Sequence, residues 1–149
     1  MAYLHEIPYD ASQFPVLGRA DLAHATMRQQ VGRLSKVLAD YVHDTFPLSR
    51  EGDALCVVIL RGGLLLYPAF FTRFLNMNFA LVDVKQAADN RVINYDAWPK
   101  RDTYRLAIYL DTIIGTGKTI QTVHGVVESR YKIDEVLVCS LISSRQGTA

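Results

Sequence analysis

Two glycine-containing loops carry residue types that suit the binding of anions. Arg61-Gly62-Gly63 follows the apolar run Ala54–Leu60, and Asp111 begins a second loop that continues through Gly115-Thr116-Gly117-Lys118-Thr119. Paired glycines let backbone N–H groups approach an anion closely, and an arginine adds a charged, bidentate donor. The second loop leads into a predicted helix, so its N–H groups, its hydroxyls and the positive end of the helix would converge on a phosphate-sized spot. Asp111 stands where a carboxylate could accept both hydroxyls of a ribose diol.

Neither loop matches the common nucleotide-binding fingerprints. Gly117-Lys118-Thr119 resembles the end of a P-loop, but the P-loop pattern requires glycine at the position of Thr112. Gly115-Thr116-Gly117 resembles the start of a dinucleotide-binding fingerprint, but Ile120 takes the place of its third glycine. An ordinary strand–turn–helix corner is the alternative for either loop alone. Two such loops on neighbouring strand ends, one with an arginine and one with an aspartate, favour a binding site.

The elements that must position these loops alternate between strand and helix patterns. Apolar residues at three- to five-residue spacing predict one amphipathic helix from about Arg19 to His43. The predicted strands are Ala54–Leu60, Phe79–Val84, Tyr104–Leu110 and Val136–Ile142, and the further helices are Leu64–Asn76 and Lys118–Arg130. The polar stretch from Lys85 to Thr103 predicts a flexible hairpin or loop. This alternation predicts a doubly wound α/β fold with a mainly parallel sheet flanked by helices, in which ligands bind beyond the carboxyl ends of the strands.

The composition indicates one globular domain. The 149 residues carry a formal net charge of +1, and 50% of them are hydrophobic and 21% charged. These values exclude a disordered chain and give no overall attraction to nucleic acid or to anionic membranes. The longest apolar runs are shorter than the roughly 20 residues that a membrane-spanning helix needs, and the first residues do not resemble a signal peptide. We therefore expect a single cytoplasmic domain over residues 1–149, with residues 1–18 as an arm on the surface or on a partner subunit, and with Cys56 and Cys139 as buried apolar residues.

The chain resembles a type I phosphoribosyltransferase, most closely the uracil phosphoribosyltransferase branch. Ile59-Leu60-Arg61-Gly62-Gly63-Leu64 is similar to the I-L-R-A-G-L pyrophosphate loop of that branch. Residues 110–119 are similar to its L-D-P-M-L-A-T-G-G-[ST] loop, which binds phosphoribosyl pyrophosphate (PRPP). Weaker matches extend the resemblance from about Leu17 to Ile142, and they include Met27-Arg28, Lys85, Tyr95 and Trp98-Pro99.

The resemblance implies that pyrophosphate is displaced at the anomeric carbon of PRPP through an oxocarbenium-like transition state, which the protein would position and stabilise electrostatically. It implies that Arg61, Asp111 and Lys85 are the catalytic residues. The implied PRPP-binding residues are Arg61, Gly62, Gly63, Asp111, Thr112, Gly115, Thr116, Gly117, Lys118 and Thr119. Arg91 and Arg105 are candidates to join Lys85 in closing over the pyrophosphate. Mg²⁺ would arrive bound to PRPP, without a metal site of the chain's own.

Departures from the family pattern concern the acceptor. Gly115 stands where the hypoxanthine–guanine branch has an aspartate that contacts the purine, which argues against a purine acceptor. The uracil enzymes continue into a uracil-binding segment that is absent after Ala149. We therefore expect a reduced hood over the site, poor use of uracil, and a pyrimidine-like or noncanonical acceptor. Such an acceptor would be held by Ser143-Ser144-Arg145, by the Lys85–Asp102 loop or by the N-terminal arm of a neighbouring subunit.

Three hypotheses about function follow from these features. The first is an active phosphoribosyltransferase with small-molecule substrates, working as a homodimer or higher homo-oligomer. The second is a regulator on the same fold that senses PRPP or a nucleotide, with or without binding RNA. The third is an inactive homologue that is structural or depends on a partner. The intact Arg61-Gly62-Gly63 loop favours the enzyme, because a nucleotide sensor does not need a pyrophosphate loop. The near-zero net charge disfavours the binding of nucleic acid.

Overall fold

The computed structural model describes residues 4–7 and 24–147. In chain order the elements are α1 (His24–Thr45), a 3₁₀ turn (Pro47–Arg50), β1 (Ala54–Leu60), a second 3₁₀ turn (Gly62–Leu65), α2 (Tyr67–Arg73), β2 (Asn78–Ala87), β3 (Asn90–Ala97), β4 (Thr103–Leu110), β5 (Ile113–Ile114), α3 (Lys118–Arg130), β6 (Lys132–Cys139) and β7 (Ile142–Ser143). Five strands form one sheet in the order β3-β2-β1-β4-β6, in which β3 runs antiparallel to β2 and the other pairs are parallel. The short strands β5 and β7 pair in parallel beside it. The predicted α/β class and mainly parallel sheet are confirmed.

The central strand β1 is buried on both faces. Its even-numbered side chains from Ala54 to Val58 pack in a cluster with α1 and α2, whereas its odd-numbered side chains from Leu55 to Ile59 pack in a second cluster with α3. This alternation follows from the two-residue period of a strand, and it explains why the run is continuously apolar. Cys56 and Cys139 belong to the first cluster, as predicted, and burial raises the pKa of both thiols, that of Cys139 to about 12.

Helix α1 packs through a stripe of residues at helical spacing. The buried positions are Val31, Leu34, Ser35, Leu38, Ala39 and Val42. The helix ends close to the predicted point, where Phe46 donates its N–H to the Val42 carbonyl (3.0 Å) and Pro47 follows. Its predicted first residues, 19–23, lie outside the described residues.

Two predicted elements differ in their bounds. The helix expected over Leu64–Asn76 is divided into a 3₁₀ turn and α2, because the glycine pair folds the chain tightly onto the sheet before Pro68 enters the first turn of α2. The last strand, expected over Val136–Ile142, instead runs from Lys132 to Cys139. It lies at the edge of the sheet, where the polar residues of its first half are tolerated because they remain in contact with water.

The polar stretch after Val84 is a β-hairpin, one of the two forms that the sequence allowed. Strand β2 continues to Ala87, and β3 returns antiparallel beside it. Of the predicted arm, residues 4–7 have no regular structure; Ile7 packs against the core, and His5 Nδ1 lies 3.1 Å from the Tyr41 hydroxyl. The remainder of the arm lies outside the described residues. Within the described part of the chain, no helix is long and apolar enough to span a membrane.

Candidate active site

The two predicted loops touch each other at the carboxyl edge of the sheet. They follow β1 and β4, which are neighbouring parallel strands with Val58 beside Leu110. A Cβ atom added at Gly62 would lie 2.5 Å from Asp111 Oδ1 and 2.8 Å from Thr112 Oγ1. A Cβ atom at Gly63 would overlap the backbone carbonyl of Leu110. The close contact between the loops therefore requires glycine at position 63, whereas at position 62 a small side chain would require the side chains of Asp111 and Thr112 to move. The structure brings Arg61-Gly62-Gly63 and Asp111 into one site.

Asp111 is fixed at the end of β4 by its backbone surroundings. Its N–H donates to the Cys139 carbonyl at 3.1 Å. Partial burial raises the pKa of its carboxyl group above the usual value, while hydrogen bonds from the backbone N–H groups of Ile113 and Thr112 lower that pKa in part. The carboxylate is thus held in one orientation. Further hydrogen-bond donors from a ligand, such as the hydroxyls of a ribose, would stabilise its ionised form.

The predicted phosphate loop, Gly115–Thr119, has a backbone shape that can accommodate an anion. Gly117 adopts a left-handed conformation (φ 76°) immediately before α3, which a residue with a side chain rarely adopts. The space around Gly115 is open, since a Cβ atom there would meet no atom within 4 Å. Helix α3 has 13 residues, and its first N–H groups have no partner within the helix. The predicted residues from Gly115 to Thr119 therefore surround a position where an anion can accept backbone hydrogen bonds.

A C-terminal turn, from Ser144 to Gly147, packs directly on this loop. Strand β7 pairs with β5, and Ser144 donates its N–H to the Ile114 carbonyl at 2.9 Å. The Ser144 hydroxyl donates to the Gly115 carbonyl and accepts the Gly147 N–H at 3.0 Å. A Cβ atom at Gly147 would lie 2.6 Å from the Gly115 carbonyl oxygen. The Ser143-Ser144-Arg145 segment, expected to hold the acceptor, thus lies beside the phosphate loop.

On the side of β1 that faces β2, charged side chains line an open cleft of about 750 Å³. It is lined by Leu60, Arg61, Asp83, Val84, Lys85 and Tyr95. Lys85 therefore meets Arg61 in the cleft, as the sequence predicts for two groups that would hold pyrophosphate. Asp83 was not predicted, although its place at the end of an apolar run in β2 is the same signal that singled out Asp111 after β4.

The two candidate arginines lie apart from this cleft. Arg91 stands opposite Gln86, beyond Lys85 toward the tip of the hairpin. Arg105 lies near the amino end of β4, roughly 16 Å along the strand from Leu110, and its guanidinium pairs with Glu51 at 3.1 Å. The prediction that Arg105 closes over the site is wrong, because the direction of β4 places it at the opposite edge of the sheet.

The carboxylates at the site suit a magnesium ion that arrives with a ligand. Over residues 4–7 and 24–147, no group of three or more His, Cys, Asp or Glu side chains could hold a metal by itself. Asp83 in β2 and Asp111 after β4 are single carboxylates on the two strands that flank β1. Magnesium commonly binds through one or two carboxylates together with the phosphates of a substrate, and these residues fit that mode.

Comparison with known proteins gives a family match and a shared fold. A family model described as uracil phosphoribosyltransferase matches residues 20–149. The chain is similar to a purine phosphoribosyltransferase from Pyrococcus horikoshii Ot3, with 20% identity, coverage of 81% of this chain and 78% of that chain, and a TM-score of 0.66. It is also similar to a hypoxanthine phosphoribosyltransferase from Staphylococcus aureus (16% identity, 93% and 73% coverage, TM-score 0.65). A hypoxanthine-guanine phosphoribosyltransferase from Bacillus anthracis is a third similar structure (15% identity, 80% and 70% coverage, TM-score 0.59). A search of the curated proteins found no match.

Proposed function

The chain belongs to the uracil phosphoribosyltransferase family, and on this premise we propose that it transfers the 5-phosphoribosyl group of PRPP to a pyrimidine-like or noncanonical acceptor and releases pyrophosphate. One observation carries the proposal. The backbone of Gly62 and Gly63 packs against Leu110, Asp111 and Thr112, so that the two anion-binding loops form one site instead of two. A single ligand with phosphate groups at two ends of a sugar fits such a site.

The order of the strands supports an orientation for PRPP. The 5′-phosphate would lie on the Gly115–Thr119 loop after β4, with the ribose hydroxyls on Asp111. The pyrophosphate would lie over β1, on the N–H groups of Gly62 and Gly63, with Arg61 and Lys85 beside it. Neighbouring strands are about 4.8 Å apart, which is a distance that a ribose ring spans.

In the proposed reaction, the bond between the anomeric carbon and the pyrophosphate oxygen breaks, and a nucleophilic atom of the acceptor forms a bond to the same carbon. Arg61 and the glycine N–H groups stabilise the negative charge that develops on the departing pyrophosphate. Asp111 orients the sugar so that the acceptor approaches the anomeric carbon from the side opposite the departing pyrophosphate. Magnesium, when bound, neutralises part of the charge on the phosphates. The acceptor gives up its proton to water.

The acceptor would approach from the side of the C-terminal turn. Ser143 is exposed beside the phosphate loop and would offer its hydroxyl to the acceptor, whereas the Ser144 hydroxyl is already bonded to Gly115 and Gly147. The open space around Gly115 would be filled by the 5′-phosphate, so the acceptor would lie beyond it, next to the sugar. The polar side chain of Ser143 supports a polar, nitrogen-containing acceptor.

The experiment that tests the proposal is acceptor-dependent release of pyrophosphate. The protein is incubated with Mg-PRPP and a panel of pyrimidines, other nitrogen heterocycles and small amines, and pyrophosphate is measured. We expect release with at least one acceptor and its loss in Arg61→Ala. Arg33→Ala, an exposed arginine of α1, is the matched control and should behave as the wild type. PRPP binding without turnover on any acceptor would contradict the enzyme and favour a PRPP-sensing regulator.

A further inference from the structure

Asp83 places a negative charge directly beside the proposed pyrophosphate loop. In the ladder between β1 and β2 it stands next to Leu60, the residue before Arg61. It lines the same cleft as Arg61 and Lys85. A carboxylate in this position repels pyrophosphate through the same Coulomb interaction by which the two cations attract it. A site that only had to bind a bare anion would be better without it.

The local structure orients this carboxylate toward the cleft. The register of the hairpin shifts after Asp83: Asp83 stands opposite Tyr95, but Val84 stands opposite Ile93. Asn94 is therefore the extra residue of a β-bulge, and its Nδ2 donates to Asp83 Oδ2 at 2.7 Å. Bulges occur next to active sites, where they redirect a side chain. No described residue donates to the second oxygen, Oδ1, so that oxygen is available to a ligand in the cleft.

A divalent cation resolves the conflict between Asp83 and the pyrophosphate. Magnesium prefers oxygen ligands and is usually bound by one or two carboxylates and the phosphates of a substrate. The amide of Asn94 acts on the carboxylate as a hydrogen-bonding partner that holds a metal ligand in place. We infer that Asp83, held by Asn94, binds the magnesium ion that accompanies the pyrophosphate end of PRPP. The inference rests on the proposed function, and it adds a residue that selects the metal-bound form of the substrate and product.

The test is the binding of inorganic pyrophosphate, measured by calorimetry with and without Mg²⁺, so that no turnover is needed. The variants are Asp83→Asn, Asn94→Ala and, as a matched control, Asp89→Asn, which removes the same charge from the exposed tip of the same hairpin. We expect Mg²⁺ to strengthen pyrophosphate binding by the wild type. In Asp83→Asn the affinity for Mg-pyrophosphate should fall at least about tenfold, as is usual when a metal site loses a carboxylate or its hydrogen-bonding partner. Its affinity for pyrophosphate without metal should stay the same or rise.

Asn94→Ala should lose part of the magnesium dependence, and Asp89→Asn should keep all of it. If Asp83→Asn binds Mg-pyrophosphate as tightly as the wild type, the inference is wrong while the proposed function stands. If Asp83→Asn binds pyrophosphate more tightly both with and without Mg²⁺, the inference is also overturned, because Asp83 would then only repel the anion. Weaker binding of both forms by the same factor would show a structural role and overturn it. A wild type that binds neither Mg-pyrophosphate nor PRPP would overturn the proposed function together with the inference.

Discussion

The two halves of the site lie on either side of β1, and they differ in whether backbone groups or side chains form them. The loop after β4 is held by backbone hydrogen bonds: Asp111 donates to the Cys139 carbonyl, Leu141 donates to the Thr112 carbonyl, and Ser144 donates to the Ile114 carbonyl. The cleft on the β2 side is instead lined by charged side chains, with Tyr95 52% exposed.

This difference suits the two tasks of the proposed transferase. The 5′-phosphate and the ribose would stay with the protein throughout the reaction, so a rigid backbone cradle could be shaped for them in advance. The pyrophosphate would gain charge and leave, and the side chains of Arg61, Lys85 and Asp83 could follow that change. In the proposed reaction, the backbone half would therefore set the position of the sugar, and the side-chain half would respond to the leaving group.

The largest expected effect comes from separating the two halves. Gly63→Ala inserts a methyl group into the Leu110 carbonyl, a backbone atom that cannot move aside without shifting β4. Such overpacking typically costs about 1–3 kcal/mol of folding stability. PRPP binding should fall by more than about a hundredfold, because a shift of about 1 Å in a positioned site has that effect. Both are measured by thermal unfolding and by calorimetry with Mg-PRPP.

The control for this variant is Gly125→Ala, at an exposed helical glycine whose added methyl group would meet no atom within 4 Å. It should gain up to about 1 kcal/mol of stability, since alanine is the better helix former, and bind PRPP normally. Equal binding by Gly63→Ala and the wild type would show that the contact between the loops is not needed for the site.

A smaller effect is expected when only the sugar contact is weakened. Asp111→Asn keeps the shape of the side chain but removes a charged acceptor, whose hydrogen bonds are worth about 1.5–3 kcal/mol. Affinity for PRPP should fall about ten- to hundredfold, whereas binding of pyrophosphate alone should change little. A much lower unfolding temperature of the variant would show that Asp111 stabilises the fold instead of binding the sugar.

The same variant gives a pH dependence of defined sign. Burial raises the pKa of Asp111 in the folded protein, so the ionised carboxylate lowers the free energy of unfolding at neutral pH. Asp111→Asn should therefore be at least as stable as the wild type at pH 7. The wild type should regain stability relative to the variant as the pH falls through the raised pKa toward the ordinary value of 3.8. Unfolding curves for both proteins across this range check the sign, and a wild type that loses stability relative to the variant on acidification would contradict it.

The smallest effect concerns the C-terminal turn. Ser144→Ala removes the hydroxyl that joins the Gly115 carbonyl to the Gly147 N–H. Loss of a neutral hydrogen bond costs about 0.5–1.5 kcal/mol, so affinity for ribose 5-phosphate should fall about two- to tenfold. Ser129→Ala, at an exposed serine near the end of α3, is the matched control. An equal loss of affinity for ribose 5-phosphate in both variants would show that the C-terminal turn does not support the phosphate loop.

Much of the fold follows from the sequence because its signals are local. Strand β1 is apolar at every position, since helices cover both its faces, and helix α3 begins directly after the Gly115-Thr116-Gly117 turn. The two loops were identified for the same reason: glycine and charge at the carboxyl end of an apolar run mark a ligand edge in an α/β fold.

What the sequence does not reveal depends on contacts between distant segments. The packing of the C-terminal turn on the phosphate loop joins Gly147 to Gly115, and neither residue signals the other. Asp83 becomes a candidate only because Arg61 follows the neighbouring strand β1 and because a bulge, which no local pattern indicates, lies opposite it. The charge of Arg105 suggests a role at the site, but Arg105 comes early in β4 and therefore lies far from the carboxyl end of the strand.

If the two loops form one site that binds the whole of PRPP, fragments of PRPP must compete with it for that site, and this competition can be measured. Calorimetry is carried out with Mg-pyrophosphate, ribose 5-phosphate and Mg-PRPP on the wild type, Arg61→Ala and Asp111→Asn. We expect PRPP to bind more tightly than either fragment and to displace both. At a PRPP concentration of 100 times its dissociation constant it should add about 2.7 kcal/mol to the stability of the fold. Arg61→Ala should weaken the binding of pyrophosphate but not of ribose 5-phosphate, and Asp111→Asn should do the reverse. Absence of PRPP binding at millimolar concentration, or two fragments that bind without PRPP displacing them, would contradict the account.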